Sequence, residues 1–227
     1  AYDHSDNITE VSYFGAGHKP ALCDEGYHKL VSVYNSNNQP VQKKYLGTNG
    51  KLVNLKGENY AFVKSEYDER GNLRSVVYFT ASGTRGCDKS KVHKYFNEYN
   101  HTFNLVSHQI SYGIDGYPIL ANQTSPEGRC TYDRRGQLVS LTCYDGYGKR
   151  QNSKRGWYET RMTYDKTGLR TSEAYFDLDG KRVSDSENKY HKITYAYDDQ
   201  QNITELSVYG NDDKLMLLPG GYCTMKK

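Results

Sequence analysis

An all-β chain, built as an elongated array of seven β-hairpin repeats, is the fold class these 227 residues predict, on three observations. Tyr followed by Asp or Asn recurs at Tyr2, Tyr34, Tyr67, Tyr99, Tyr132, Tyr164 and Tyr197, at spacings of 32, 33, 32, 33, 32 and 33 residues. Self-similarity at such a period marks a repeat architecture in which each unit is one supersecondary element. Turn-forming residues recur twice within a unit. Between the turns lie runs of seven or eight β-branched and aromatic residues, and no window shows sustained helical periodicity.

The elements follow in order. The repeats occupy 2–33, 34–66, 67–98, 99–131, 132–163, 164–196 and 197–227, one array with no room for a separate domain. Each opens on a turn such as Tyr67-Asp68-Glu69-Arg70-Gly71-Asn72, where the carboxylate accepts backbone amides and Gly71 takes positive φ to close a bulged hairpin. Gly136 and Gly168 stand at the same place, with Asp6 and Asn38 in the first two repeats. In the fourth, Phe103 replaces the turn residue. Leu73–Phe79 and Ile203–Tyr209 read as the strands that follow, and Ile193, Tyr195 and Tyr197 alternate with Lys192, Thr194 and Ala196 on the approach to a turn. A hairpin over Asp133–Gly136 places Tyr132 opposite Leu138 and Cys130 opposite Ser140, a register that keeps Cys130 and Cys143 apart. Glycines at 50, 83, 148 and 180 mark the second turn. A closed seven-bladed β-propeller is the alternative, although about 32 residues is short for a four-stranded blade.

Composition narrows the function classes. Hydrophobic residues make up 36% and mean hydropathy is −0.90, too polar for one thick core, while 23 tyrosines argue against disorder. A net charge of +3 spread over alternating signs predicts no nucleic-acid partner, and no apolar run is long enough to predict membrane insertion. Five cysteines without a C-x-x-C pair leave the redox compartment open.

The pattern Tyr-Asp-x-x-Gly-Asn/Gln-Leu, at Tyr67 to Leu73 and Tyr132 to Leu138, resembles the YD or Rhs repeat of bacterial wall-associated proteins and toxin shells. The resemblance covers roughly half the chain. A weaker similarity, carried by Tyr175 to Lys181 and by Gly26-Tyr27, is to choline-binding cell-wall repeats, which rely on Trp where this chain has only Trp157. The resemblance implies a bacterial array of hairpins at the cell surface or outside the cell. It implies that the array continues into further repeats or domains, as does a chain that starts and stops near repeat boundaries.

No catalytic residues are expected, and the chain is read as a non-enzyme. The seven histidines fall at different phases, and no serine elbow, H-E-x-x-H or phosphate loop appears. Asp177-Leu178-Asp179-Gly180 suggests calcium, but its glycine comes too early for an EF-hand, so no metal or other cofactor is expected. Asn7, Asn100, Asn122 and Asn202 head N-x-T triplets that read as turn asparagines. The aromatics remain: one column at the Tyr-Asp turns, a second at Tyr13, Tyr45, Tyr78, Tyr144, Tyr175 and Tyr209, and a third at Tyr27, Tyr60, Trp157, Tyr190 and Tyr222, which Val92-His93 and Gly128-Arg129 interrupt. The first two are read as packing ladders. The third follows loops rich in Gly and charge and is the candidate site for a glycan or protein ligand. The expected function is a binding or adhesion module of a larger surface or secreted protein; a structural spacer or shell segment is the alternative.

Overall fold

The computed structural model describes residues 1–121, 125–217 and 223–226. They form two compact bodies, Ala1–Tyr99 with Gln109–Asn122, and Asn100–His108 with Gln123–Lys227. The first body contains β1 (Glu10–Ser12), β2 (Lys29–Tyr34), β3 (Pro40–Leu46), β4 (Phe62–Tyr67), β5 (Leu73–Phe79) and β6 (Lys94–Tyr99). β7 (Val106–Tyr112) divides between the two. The second body holds β8 (Glu127–Tyr132), β9 (Leu138–Tyr144), β10 (Glu159–Tyr164), β11 (Arg170–Phe176), β12 (Lys192–Tyr197), β13 (Ile203–Tyr209) and β14 (Thr224–Lys226). The one helical element among the described residues is a 3-10 turn at Ala16–His18.

Within each body the strand pairs are antiparallel and form hairpins between strands consecutive in sequence. Pairing also runs across repeat boundaries, β3 with β4 and β5 with β6 in one body, β9 with β10 and β11 with β12 in the other. Each body is therefore one open meander of hairpins. The propeller alternative fails on this point, because its blades would be separate sheets.

The first turn forms as its residues dictate. The Asp68 side chain accepts the amides of Arg70 and Asn72 at 3.0 and 2.8 Å, and Asp133 does the same for Arg135 and Gln137 at 2.8 and 2.9 Å. Gly71 and Gly136 take φ of 86° and 79°, and Asp6 and Asn38 accept 61° and 59°. In the fourth repeat Phe103 is not the turn residue; Asn104, one position later, takes φ 60°. Five hairpins carry a bulge just before their tyrosine, between Thr131 and Tyr132 for example. Tyr132 does face Leu138, but the bulge shifts the rest by one, so Cys130 faces Leu141 and Thr131 faces Ser140. Cys143 lies opposite Gly128.

A third turn, which the sequence reading did not define, carries the extra residue of the second and sixth repeats. It closes by an amide-to-carbonyl bond from Cys23 to Tyr27, Asp88 to Val92 and Ser153 to Trp157, four residues on, but from Leu55 to Tyr60 and Asp185 to Tyr190, five residues on. The longer third turns belong to the second and sixth repeats; in the fourth, also of 33 residues, the first turn is the longer one, closing from Asn100 N to Leu105 O, five residues on where the other first turns close four on. Adjacent third turns are bonded to one another, Lys56 N to Glu25 O and Ser186 N to Arg155 O, both at 2.9 Å.

Candidate functional site

Counted back from the following Tyr-Asp turn, the third column is constant in phase: Tyr27, Tyr60, Val92, Ser125, Trp157 and Tyr190 each stand seven residues before the next first-column tyrosine. Gly128-Arg129 is thus not its fourth member; both residues lie within β8, and Ser125 occupies the place. Tyr27, Val92, Ser125 and Trp157 are buried and Tyr60 and Tyr190 half-buried. Tyr222 lies outside the described residues, as does Asn122.

The second and third columns are one structure. In the first body their rings alternate as a continuous ladder, Tyr13 to Tyr27 at 5.6 Å between centroids, Tyr27 to Tyr45 at 5.1 Å, Tyr45 to Tyr60 at 6.1 Å and Tyr60 to Tyr78 at 4.7 Å. Where Val92 breaks the column, Tyr95 continues the ladder at 6.3 Å from Tyr78. In the second body Trp157 stacks on Tyr175 at 5.7 Å and 28°, and Tyr175 meets Tyr190 at 6.2 Å. Most of these contacts are edge-on or tilted, the arrangements that ring quadrupoles favour. Burial raises the pKa of the Tyr27, Tyr60 and Tyr190 phenols, and pushes Tyr78 up to about 12 with Asp88 and Glu58 adding to it.

Trp157 has the most constrained setting. Its Nε1–H donates to Asp185 Oδ2 at 2.8 Å, and Asp185 is itself fully buried. Arg155 grips the same carboxylate, Nη2 on Oδ1 and Nε on Oδ2, each at 2.7 Å. The backbone amides of Glu187 and Asn188 donate to Oδ1 at 3.0 and 2.7 Å. Burial alone would raise the Asp185 pKa; the bonds from Asn188, Arg155 and Trp157 outweigh it and hold the carboxyl below its ordinary range. This ion pair joins the fifth repeat to the sixth.

The first column makes a second inter-repeat contact, a staple. Each tyrosine hydroxyl donates to a backbone carbonyl of the preceding repeat: Tyr34 to Ile8 at 3.0 Å, Tyr67 to Pro40 at 3.2 Å, Tyr99 to Leu73 at 3.0 Å, Tyr132 to Val106 at 2.7 Å, Tyr164 to Leu138 at 2.9 Å and Tyr197 to Arg170 at 2.8 Å. Five of these acceptors face the preceding column tyrosine across its hairpin, as Leu138 faces Tyr132.

The histidines do not all scatter in phase. His28, His93 and His191 each stand six residues before the next column tyrosine and are buried. Their Nδ1 atoms lie 2.7, 2.9 and 2.7 Å from the carbonyls of Tyr13, Gly86 and Tyr175. Each ring sits edge-on to Phe14, Phe79 or Phe176. Ala61 and Tyr158 fill the same place elsewhere. This column packs the repeat, each histidine held by a backbone carbonyl and a phenylalanine ring. In the Asp177 turn, Oδ1 receives the amides of Asp179 and Lys181 at 2.9 and 2.8 Å, the hairpin geometry. Among the described residues no three His, Cys, Asp or Glu side chains group as metal ligands, and no helix is long and apolar enough to cross a membrane.

No family model matches this chain, and no curated protein does. Solved structures match it at low identity. A crystal structure of TcdB2-TccC3 is 15% identical with a TM-score of 0.41, over 90% of this chain and 10% of its own. TcdB2-TccC3 without its hypervariable C-terminal region gives 17%, 0.39, 84% and 10%, respectively. A Tc holotoxin pore of Photorhabdus luminescens gives 14%, 0.37, 82% and 9%. The chain spans about a tenth of the length of these structures.

Proposed function

We propose that this chain is a structural segment, a spacer or shell portion built of YD/Rhs-like repeats, within a larger bacterial protein at the cell surface or outside the cell. The aromatic ladder carries the reading. A ligand-binding column needs its rings free in a row, whereas Tyr27 and Trp157 are 5% and 3% exposed and spend their faces on neighbouring repeats. Cations cover other rings, Arg129 over Tyr144 at 3.9 Å and Arg150 over Tyr158 at 4.4 Å. Stacking, hydroxyl staples and the Asp185 ion pair all join one repeat to the next, which is what a load-transmitting array needs. The location and the larger protein rest on the Tyr-Asp-x-x-Gly motif.

The glycan or protein module remains the rival reading, and Tyr60 and Tyr190, half-buried, are the rings it keeps. A polysaccharide pull-down with wild type, Trp157→Ala and Tyr190→Ala separates the two. The spacer reading expects no retention of any of the three, with Trp157→Ala lowered in stability; retention of wild type that Tyr190→Ala abolishes would replace it with the binding reading.

A further inference from the structure

The third and sixth repeats carry the same three basic residues in the same places. Arg85, His93 and Lys94 match Arg182, His191 and Lys192. Each arginine bridges the phenylalanine that ends its strand, Phe79 or Phe176, and each histidine amide donates to the tyrosine carbonyl that ends the next hairpin, Tyr112 at 2.8 Å or Tyr209 at 2.9 Å. The turn after that tyrosine also matches, closing from Gly116 N to Gly113 O and from Asp213 N to Gly210 O, both at 2.9 Å. Each constellation lies within one body. No other repeat has arginine, histidine and lysine at these places together.

The two differ in what the turn supplies. In the second body Asp213 puts a carboxylate between the cations: Lys192 Nζ donates to Oδ1 at 2.6 Å, and Arg182 Nη2 lies 3.4 Å from Oδ2. The bond from Lys192 is the main reason that this carboxyl stays below its ordinary range, and Arg182 adds to it. In the first body Gly116 stands in that place and brings no side chain. A Cβ there would meet Arg85 Nη1 at 2.9 Å, so the guanidinium lies against the space that the Asp213 side chain takes in the other constellation. Arg85, His93, Lys94, Tyr112 and Gly116 line a pocket of about 260 Å³. Arg85 Nη1 donates to the Ile114 carbonyl at 3.1 Å, and the buried His93 ring is fixed with Nδ1 2.9 Å from the Gly86 carbonyl. Among the described residues no carboxylate stands within ion-pair distance of Arg85 or Lys94. Asp115, the acid of the same turn, accepts the amide of Tyr117 at 3.0 Å.

We propose that this pocket of the first body is a binding site for a carboxylate, which would take between Arg85 and Lys94 the place that Asp213 takes between Arg182 and Lys192. Two cations that converge without an anion of their own raise the local positive potential, and a carboxylate both lowers it and accepts charge-assisted hydrogen bonds from them. The chain's own example fixes the chemical class, since the same basic residues at the same places hold a carboxylate in the second body. The site goes beyond the structural reading and does not depend on it.

The test is a nuclear magnetic resonance titration of the full chain with acetate and with N-acetyl-aspartate amide, each against sodium chloride at the same ionic strength so that screening alone is subtracted. Saturable shifts at the Gly116 amide and the His93 ring are expected beyond the chloride control. Lys94→Gln should bind at least about threefold more weakly, from the loss of one exposed charge partner. Gly116→Asp supplies the carboxylate from within, at a positive φ that Asp213 already accepts, and should remove the shifts. Asp213→Gly should add a second set of saturable shifts at His191. Shifts with acetate alone would support a site for a free carboxylate, and shifts with both probes a site that also takes an acidic side chain of another protein. Shifts no larger than those of chloride, or a Gly116→Asp protein that titrates as wild type does, would overturn the proposal. Should Gly116→Asp not fold, equal titration of wild type and Lys94→Gln would overturn it.

Discussion

Replacing Trp157 separates a packing ring from a ligand platform. The indole is 3% exposed, stacks on Tyr175 and donates its N–H at 2.8 Å to a fully buried carboxylate. Truncating a buried Trp to Ala costs about 3–5 kcal/mol in transfer and cavity terms. A hydrogen bond to a charged group contributes about 1.5–3 kcal/mol, and part of it is already counted in that range. Trp157→Ala should therefore lose about 4–5 kcal/mol, a large share of the 5–15 kcal/mol that holds a typical domain together. Trp157→Phe keeps a ring against Tyr175 but leaves Asp185 without the indole donor, and should lose about 2 kcal/mol. Urea unfolding followed by far-ultraviolet circular dichroism reads both, since m should stay constant and only the midpoint should move. A loss below about 1 kcal/mol for Trp157→Ala would refute the reasoning, and an unchanged Trp157→Phe would remove the indole N–H from it.

Other expectations concern different parts of the array. Tyr164→Phe removes the 2.9 Å bond to the Leu138 carbonyl and should cost about 1 kcal/mol by the same urea assay; no change would mean that the staple contributes nothing to stability. Gly86→Ala places a methyl against the Asn59 carbonyl oxygen and the Phe79 backbone, and should cost about 1–3 kcal/mol, visible as a lowered melting temperature. Tyr27, Tyr60, Tyr78 and Tyr175 hold their protons more tightly folded than unfolded. The unfolded chain therefore ionises first, and stability should fall as pH rises above about 10, by up to about 1.4 kcal/mol per pH unit for each phenol. Flat urea midpoints between pH 9 and 11 would contradict this. Burial lowers the pKa of His191, so its contribution should be lost as pH falls below about 6.5, and His191→Ala should flatten that limb.

The repeat itself was legible because its punctuation is chemical. Asp and Gly at Asp68 and Gly71 can do little else than close a turn, and the facing of Tyr132 and Leu138 follows from the turn length. The contacts between columns were not legible. Tyr27 and Tyr45 lie 18 residues apart in sequence and belong to different repeats, so a period of 32 or 33 says nothing about their meeting. Their encounter depends on the hairpin bulge and on whether the third turn has four or five residues. That turn lacks a fixed residue type, being built on Cys23, Leu55, Asp88, Ser153 and Asp185 in turn. Counting forward from each opening tyrosine carries the lengths of the intervening turns into the third column, whereas counting back from Tyr132 places Ser125 in it directly. Counting back from the next tyrosine would have placed His28, His93 and His191 in one column as well.

The central claim is that the third-column rings are spent on packing, and Trp157 reports on it alone, being the only tryptophan in the chain. Acrylamide quenching of its fluorescence in the native protein is the direct measurement. A ring 3% exposed between Tyr175 and Asp185 should emit to the blue and be quenched several-fold less than in urea. Quenching as strong in the native chain as in the unfolded one would put the indole in solvent, and the ladder would then be a surface open to ligands.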